Sequence, residues 1–512
     1  MAAGASAGAV AVAEGCVGAG AVAVAEAGGV VAVGEVVAVG DAAAIPVGVV
    51  VVVAAGSPIA PLEAGPSMSS LVASLLDEEQ PAATIARAIA RISTSTNRAP
   101  IARGTRFFAG PPFTGSGWCE YTSSMGRKYR IISADGHVET PPDFFVKYVP
   151  EKWKDRAPRL IHLPEGGEGW LIEGQPMLRN GQNIAGRDKV KFSGGTYYNA
   201  DGSPAEGAGP AEQRLREQDL DGIDAEVLFP PVFASRFLEG IKDPDVYRSM
   251  IRAYNTFLAH DYCSVAPDRL IGNAVIPISG IDHAVDELEF IAEAGLPSVA
   301  FYNFPNGTPY ADPVDNRFWE KSLELGLKLA PHFGFGAREA PLQSAATGTA
   351  NSPWASALVQ RAGNHAPVYC MAQLIAAGVL NRFPEIKFYF AETNASWLPG
   401  TLYFLDDNYD LFSDWFKVSY ERKPSEQVVD HFHFSVIRDP VVFDMADIIP
   451  WDNIMWGSDF PHSVGSYPDS QEYIAEHFPK VDKAIARKVL LENPANYFDL
   501  DLDADITETP VG

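Results

Sequence analysis

Asn453-Ile454-Met455-Trp456-Gly457-Ser458-Asp459-Phe460-Pro461-His462 runs from an apolar strand straight into an aspartate, a proline and a histidine. A second stretch, more than three hundred residues upstream, has the same form: Tyr129-Arg130-Ile131-Ile132-Ser133-Ala134 leads into Asp135-Gly136-His137. Burying acid and imidazole costs free energy unless they are paired or bound to a metal. Strands that end this way therefore mark a site. In parallel sheets such sites lie at the C-terminal ends of the strands.

Between these two stretches, apolar runs at 225–229, 270–278, 298–303, 327–333, 386–391 and 433–437 read as strands, so that 129–134 and 453–457 bring the number to eight. Helical patterns at 247–262, 281–293, 317–324, 371–381 and 483–492 alternate with them. Alternation of this kind implies a parallel sheet. Eight strands over residues 125–512 predict a closed (β/α)8 TIM barrel, with an open doubly wound sheet as the alternative. The largest insertion, 140–211, follows the first strand and contains the hairpin-like Gly169-Trp170-Leu171-Ile172-Glu173-Gly174. An insertion at that end of a barrel strand is expected to cap the pocket.

The chain has 39 Lys+Arg against 65 Asp+Glu, a net charge of -26. Such a surface repels phosphate backbones, so no nucleic acid is expected as a partner. The four cysteines share no ligand-like spacing and read as reduced thiols of a cytoplasmic protein. Residues 1–124 form a low-complexity N-terminal extension, nearly all Ala, Val and Gly up to residue 56 and without Lys or Arg before Arg87. No basic region precedes an apolar one, as a secretory signal requires. Pro46, Pro58 and Pro61 interrupt the uncharged run 42–62, so no membrane helix is expected. One helix is expected at 71–92. Varied sequence begins at Met125, which we expect to be the natural start, with 1–124 either an over-extended reading frame or a disordered tail.

The strand ends carry the chemistry. The first delivers Asp135 and His137, which alternation turns the same way. The fifth delivers His332, the sixth Glu392 and the eighth Asp459. Two imidazoles with two or three carboxylates suit a divalent metal with open positions for a substrate. Taken singly, an aspartate after a strand is more often a turn former or cap. A single buried histidine is as often a hydrogen-bonded core residue. Convergence on one barrel face favours the metal. His431 and His433 precede their strand and fall on the opposite, structural face. His260, on a helix, reads as packing or surface. His462 is a second acid or substrate contact, or else fixes the loop after Pro461.

These residues resemble the amidohydrolase-related family that includes aminocarboxymuconate-semialdehyde decarboxylase, within the metal-dependent (β/α)8 amidohydrolase superfamily. The resemblance covers 128–498. It is carried by Ile132-Ser133-Ala134-Asp135-Gly136-His137-Val138-Glu139, Gln218-Asp219-Leu220-Asp221-Gly222-Ile223-Asp224, Gly378-Val379-Leu380-Asn381-Arg382-Phe383-Pro384, Ala391-Glu392 with Trp397-Leu398-Pro399, and Trp456-Gly457-Ser458-Asp459-Phe460-Pro461-His462. It implies Asp135, His137, His332 and Asp459 as metal ligands; the catalytic candidates, read from their chemistry and position, are Glu392, Asp459 and His462. Two departures stand out: Asp135 replaces the first histidine of the decarboxylase's His-x-His pair, and Glu392 replaces its sixth-strand acid/base histidine. The fourth strand, Ser298-Val299-Ala300-Phe301-Tyr302-Asn303, lacks the lysine that bridges two metals in many superfamily hydrolases. One divalent ion is therefore expected, and the oxygen-rich ligands admit zinc or manganese. The resemblance further implies a decarboxylase of a small aromatic or unsaturated carboxylic acid, and a homodimer. The alternatives are a hydrolase of a small ester, amide or lactone, and a non-catalytic ligand-binding barrel.

Overall fold

The computed structural model describes residues 126–162, 168–173, 196–231, 234, 238–332, 335 and 366–510 with their side chains, and the backbone of 21–27, 30–36, 46–51, 175–179 and 365. The chain divides into two units, 1–115 and 116–512. In the first, Ala21–Ala27, Val30–Val36 and Pro46–Val51 form an antiparallel three-stranded sheet. The rest of 1–124, with the helix expected at 71–92, lies outside the described residues, as does the question of its order.

The second unit is a barrel. Its strands are β1 (Ile132–His137), β2 (Ala225–Phe229), β3 (Leu270–Val275), β4 (Ser298–Phe301), β5 (Lys328–Pro331), β6 (Phe388–Phe390), β7 (Phe432–Val436) and β8 (Ile454–Trp456). They pair in parallel and in sequence order from β1 to β8. The crossovers carry α1 (Ala211–Asp221), α2 (Pro244–Phe257), α3 (Ile281–Glu293), α4 (Asn316–Glu324), α5 (His365–Ala376), α6 (Leu398–Phe416) and α7 (Pro424–His431), and α8 (Ser470–His477) follows β8. The doubly wound alternative fails because the sheet returns on itself: Gly136 of β1 bridges Phe460, beyond β8.

The strands are buried on both faces, which explains their continuous apolar runs. Inside the barrel, mainly small residues such as Ala134, Ala225, Ala300 and Ala330 leave room for Tyr389, whose hydroxyl donates to the Ala134 carbonyl at 2.8 Å. Outside, the helices pack on a larger aromatic-rich layer that includes the fully buried Trp319 and Trp456. Asp243 caps α2 by accepting from the Asp245 and Val246 amides. Within 140–211, Arg159–His162, Glu168–Ile172 and Gln175–Arg179 form a small antiparallel sheet around the expected hairpin. Among the described residues no helix is long and apolar enough to cross a membrane.

Two readings need correction. The first strand begins at Ile132 rather than Tyr129 and runs through His137, so Asp135 and His137 belong to it; a break in its pairing with β2 between Ser133 and Gly136 re-aims this end. The long helix α6 is absent from the pattern-based reading. Its aromatic residues occur all round the helix, so no single apolar stripe announces it.

Candidate active site

The barrel closes at its site. Beyond the end of β8 the seam with β1 is held by three hydrogen bonds: Asp459 N to Asp135 O (2.8 Å), His137 N to Phe460 O (2.7 Å) and Ser458 N to Ser133 Oγ (2.9 Å). Closing the sheet thus fixes Asp135, His137 and Asp459 against one another. Gly457 is required at this crossing, because a methyl group there would fall on the Cβ of Asp135 and 2.9 Å from its backbone nitrogen.

All six residues expected at the site converge. Donor atoms of Asp135, His137 and His332 lie within 4.8 Å of one another, and so do those of His137, Glu392, Asp459 and His462. The structure therefore brings together the four expected ligands but divides them into two overlapping groups that share His137. Nε2 of His137 lies 3.3 Å from Oδ1 of Asp459 and 3.7 Å from Oδ1 of Asp135. Its Nδ1 faces the Pro230 carbonyl at 3.3 Å, a contact that sets the tautomer leaving the Nε2 lone pair free for the site. Nε2 of His332 lies 3.9 Å from Oε2 of Glu392. The His332 ring packs against His137, Phe229 and Tyr302, with centroids 5.3, 5.0 and 5.5 Å away.

His462 lies over the His137 ring at 4.0 Å between centroids, and its Nδ1 is 2.9 Å from Oδ1 of Asp459. This contact ties the loop after Pro461 to the aspartate. Glu392 and Asp459 have φ of 56° and 55°, in the left-handed region. That conformation is costly for a non-glycine residue and gathers at functional sites. Ser435 supports Glu392 and Asp135, accepting from the Glu392 amide at 2.8 Å and lying 3.4 Å from Oδ2 of Asp135.

The electrostatics fit a cation. Burial, then the Asp459 and Glu392 carboxylates, push Asp135 well above the usual carboxylate range. Burial would also raise Asp459, but His462 and His137 hold it below that range. Burial opposes a charge on His462, yet the Asp459 carboxylate pushes it up to about 9. His137, buried and facing His462, falls to about 4 and is neutral, as a ligand must be. Oδ1 of Asp135, Nε2 of His137 and Oδ2 of Asp459 are buried without a hydrogen-bond partner among the described residues. Orphaned buried donors gathered around His137, with mutually repelling acids among them, are what a divalent ion satisfies.

The sequence reading missed the buttress behind this seam. Arg214 of α1, fully buried, donates from Nε to Oε2 of Glu226 (2.7 Å) and from Nη2 to the Phe460 carbonyl (2.9 Å). That carbonyl is the one accepting from His137 N. Glu226, an acid in the otherwise apolar strand Ala225–Phe229, was the available signal. Ser435, in an apolar strand, gave a fainter one. The insertion after β1 touches the same loop, with the Tyr467 hydroxyl donating to Oε1 of Glu206 at 2.7 Å. His431 Nδ1 faces the Ile386 carbonyl at 2.7 Å, a structural contact away from the site, and His260 is exposed.

A family model described as amidohydrolase matches residues 190–500, more than half of the chain. The chain belongs to the amidohydrolase family. Solved structures share the fold at low identity. An amidohydrolase from Mycobacterium avium subsp. paratuberculosis K-10 is 19% identical with a TM-score of 0.56, covering 72% of this chain and 98% of that one. Dihydroxybenzoic acid decarboxylase from Polaromonas sp. JS666, with bound manganese and the inhibitor 2-nitroresorcinol, is 17% identical with a TM-score of 0.51, covering 73% and 98%. 5-Carboxyvanillate decarboxylase from Sphingomonas paucimobilis is 17% identical with a TM-score of 0.50, covering 73% and 100%. No curated protein matches the chain.

Proposed function

We propose that this amidohydrolase is a decarboxylase of a small aromatic or unsaturated carboxylic acid, with one divalent metal, manganese or zinc. The observation that carries the reading is the set of buried, unpartnered donor atoms on Asp135, His137 and Asp459, with His332 beside them. These four residues would hold the ion. When bound, it supplies a Lewis acid that polarises the substrate's oxygens. The manganese-containing dihydroxybenzoic acid decarboxylase with the same fold supports the choice of reaction and ion.

The chain's own groups supply the rest. Phe229 and Tyr302 pack around His332 and hold its ring in place. In the reaction the bond between the carboxylate and its carbon breaks, CO2 leaves, and that carbon takes a proton. His462 offers the proton from Nε2, the ring nitrogen that Asp459 does not use. Asp459 stays ionised and stabilises the imidazolium until transfer. Glu392 is the second proton carrier. Hydrolysis of a neutral ester, amide or lactone is the second reading, favoured by the buried carboxylates of Glu139 and Glu392, which disfavour a further anion.

A panel of hydroxybenzoates, aryl esters and lactones separates the two. The expected result is CO2 release from at least one hydroxybenzoate, abolished in Asp459→Asn. Ester or lactone turnover without CO2 release overturns the lyase.

A further inference from the structure

Arg214 of α1 and Glu226 of β2 are 1% and 2% exposed, and neither belongs to the donor groups of the site. Taking two ions out of water is expensive, and a well-packed apolar pair in their place is often as stable or more so. Stability alone therefore does not explain the pair. Its geometry does.

One guanidinium serves both ligand-bearing strand ends. Nη2 donates to the Phe460 carbonyl at 2.9 Å, the acceptor of the His137 amide. Arg214 also grips Glu226, with Nε at 2.7 Å and Nη2 at 3.3 Å. Gln218 fixes that carboxylate further, donating to Oε2 at 2.9 Å. Oε1 lies 3.4 Å from the Ser458 hydroxyl, which lies 3.1 Å from that of Ser133. Ser133 in turn donates to the Asp135 carbonyl at 2.8 Å, and that carbonyl accepts from the Asp459 amide. The main chain of Asp135, His137 and Asp459 is thus tied to one buried ion pair. Gly136, between two of these residues, makes room for it. A Cβ there would lie 3.0 Å from Nη2 of Arg214 and 3.1 Å from Oε1 of Glu226.

We propose that Arg214 is a positioning residue for metal binding: with Glu226 it sets the spacing of Asp135, His137 and Asp459 before an ion arrives. The inference rests on the metal reading given above. Lysine could neutralise Glu226, but it lacks the planar fork that reaches the Phe460 carbonyl at the same time.

The test is manganese binding by the full-length protein, stripped with a chelator, dialysed and titrated calorimetrically, with circular dichroism of each metal-free variant. Arg214→Lys keeps the charge and removes the fork. Arg214→Met with Glu226→Gln removes both charges and leaves no unpaired carboxylate. Both are expected to keep the wild-type spectrum and to raise the dissociation constant for manganese ~10–100-fold, the effect of groups that support a ligand. A merely structural pair would lower the melting temperature and leave the affinity of the folded protein unchanged. A wild type that binds manganese, with both variants binding as tightly, overturns this inference alone. Loss of the folded spectrum in both variants overturns it too, since the pair then serves the fold. A wild type that binds neither manganese nor zinc overturns the metal reading and this inference with it.

Discussion

Asp459→Asn is expected to strip the protein of its metal and to lower turnover by ~10³-fold or more, beyond the 10–100-fold typical of residues that merely support a ligand. The substitution is a clean probe because asparagine tolerates the left-handed backbone at this position, φ 55°, and keeps the side chain's shape. What changes is charge. Oδ2, buried and unpartnered, loses its affinity for a cation, and His462 loses the carboxylate that keeps it protonated. A second readout follows in metal-free protein. His462 is raised to about 9, so its stabilisation by Asp459 is complete below the unfolded histidine value of about 6.5 and is lost as pH rises through about 9. Asp459 is lowered, so the same pair weakens when pH falls below the ordinary carboxylate range. The melting-temperature gap between wild type and Asp459→Asn under chelation should be widest between about pH 4 and 6.5. A gap independent of pH would separate His462 from Asp459 in function.

Glu392→Gln is expected to leave metal content unchanged while lowering turnover ~10²–10⁴-fold, the contribution of a positioned acid or base. Glu392 faces His332 at 3.9 Å and sits in the same donor group as Asp459 and His462, yet its backbone amide is tied to Ser435 in a conformation glutamate seldom adopts. Strain of that kind is retained where a side chain's placement matters. Metal analysis and turnover of the same preparation decide the role. Loss of the ion in Glu392→Gln would make Glu392 a ligand and reduce Asp135 or Asp459 to a supporting part.

The eight strands could be read from the sequence because β2 to β8 are apolar runs bounded by turn residues, a pattern that survives burial on both faces. The site residues could be read for a related reason, since acid and imidazole at the ends of such runs contradict their apolar context. What remained hidden depends on backbone geometry. Nothing in the residues around Ser133 announces the pairing break that carries Asp135 and His137 inside β1. Glu392 and Asp459 adopt a conformation that their residue types do not advertise. The seam closing the barrel consists largely of main-chain hydrogen bonds between segments more than three hundred residues apart. Arg214, which steadies that seam through the Phe460 carbonyl, could have been sought as the partner of the acid in β2. α6 escaped notice because its apolar residues lie all round the helix, a few such as Leu398 against the barrel and most of the large aromatics exposed.

The most direct measurement is the metal content of the purified protein by elemental mass spectrometry, for the wild type and for His137→Ala. One manganese or zinc ion per wild-type chain, absent from His137→Ala, is the predicted result. A wild-type chain that holds none, and takes up none on reconstitution with either metal, would contradict the account.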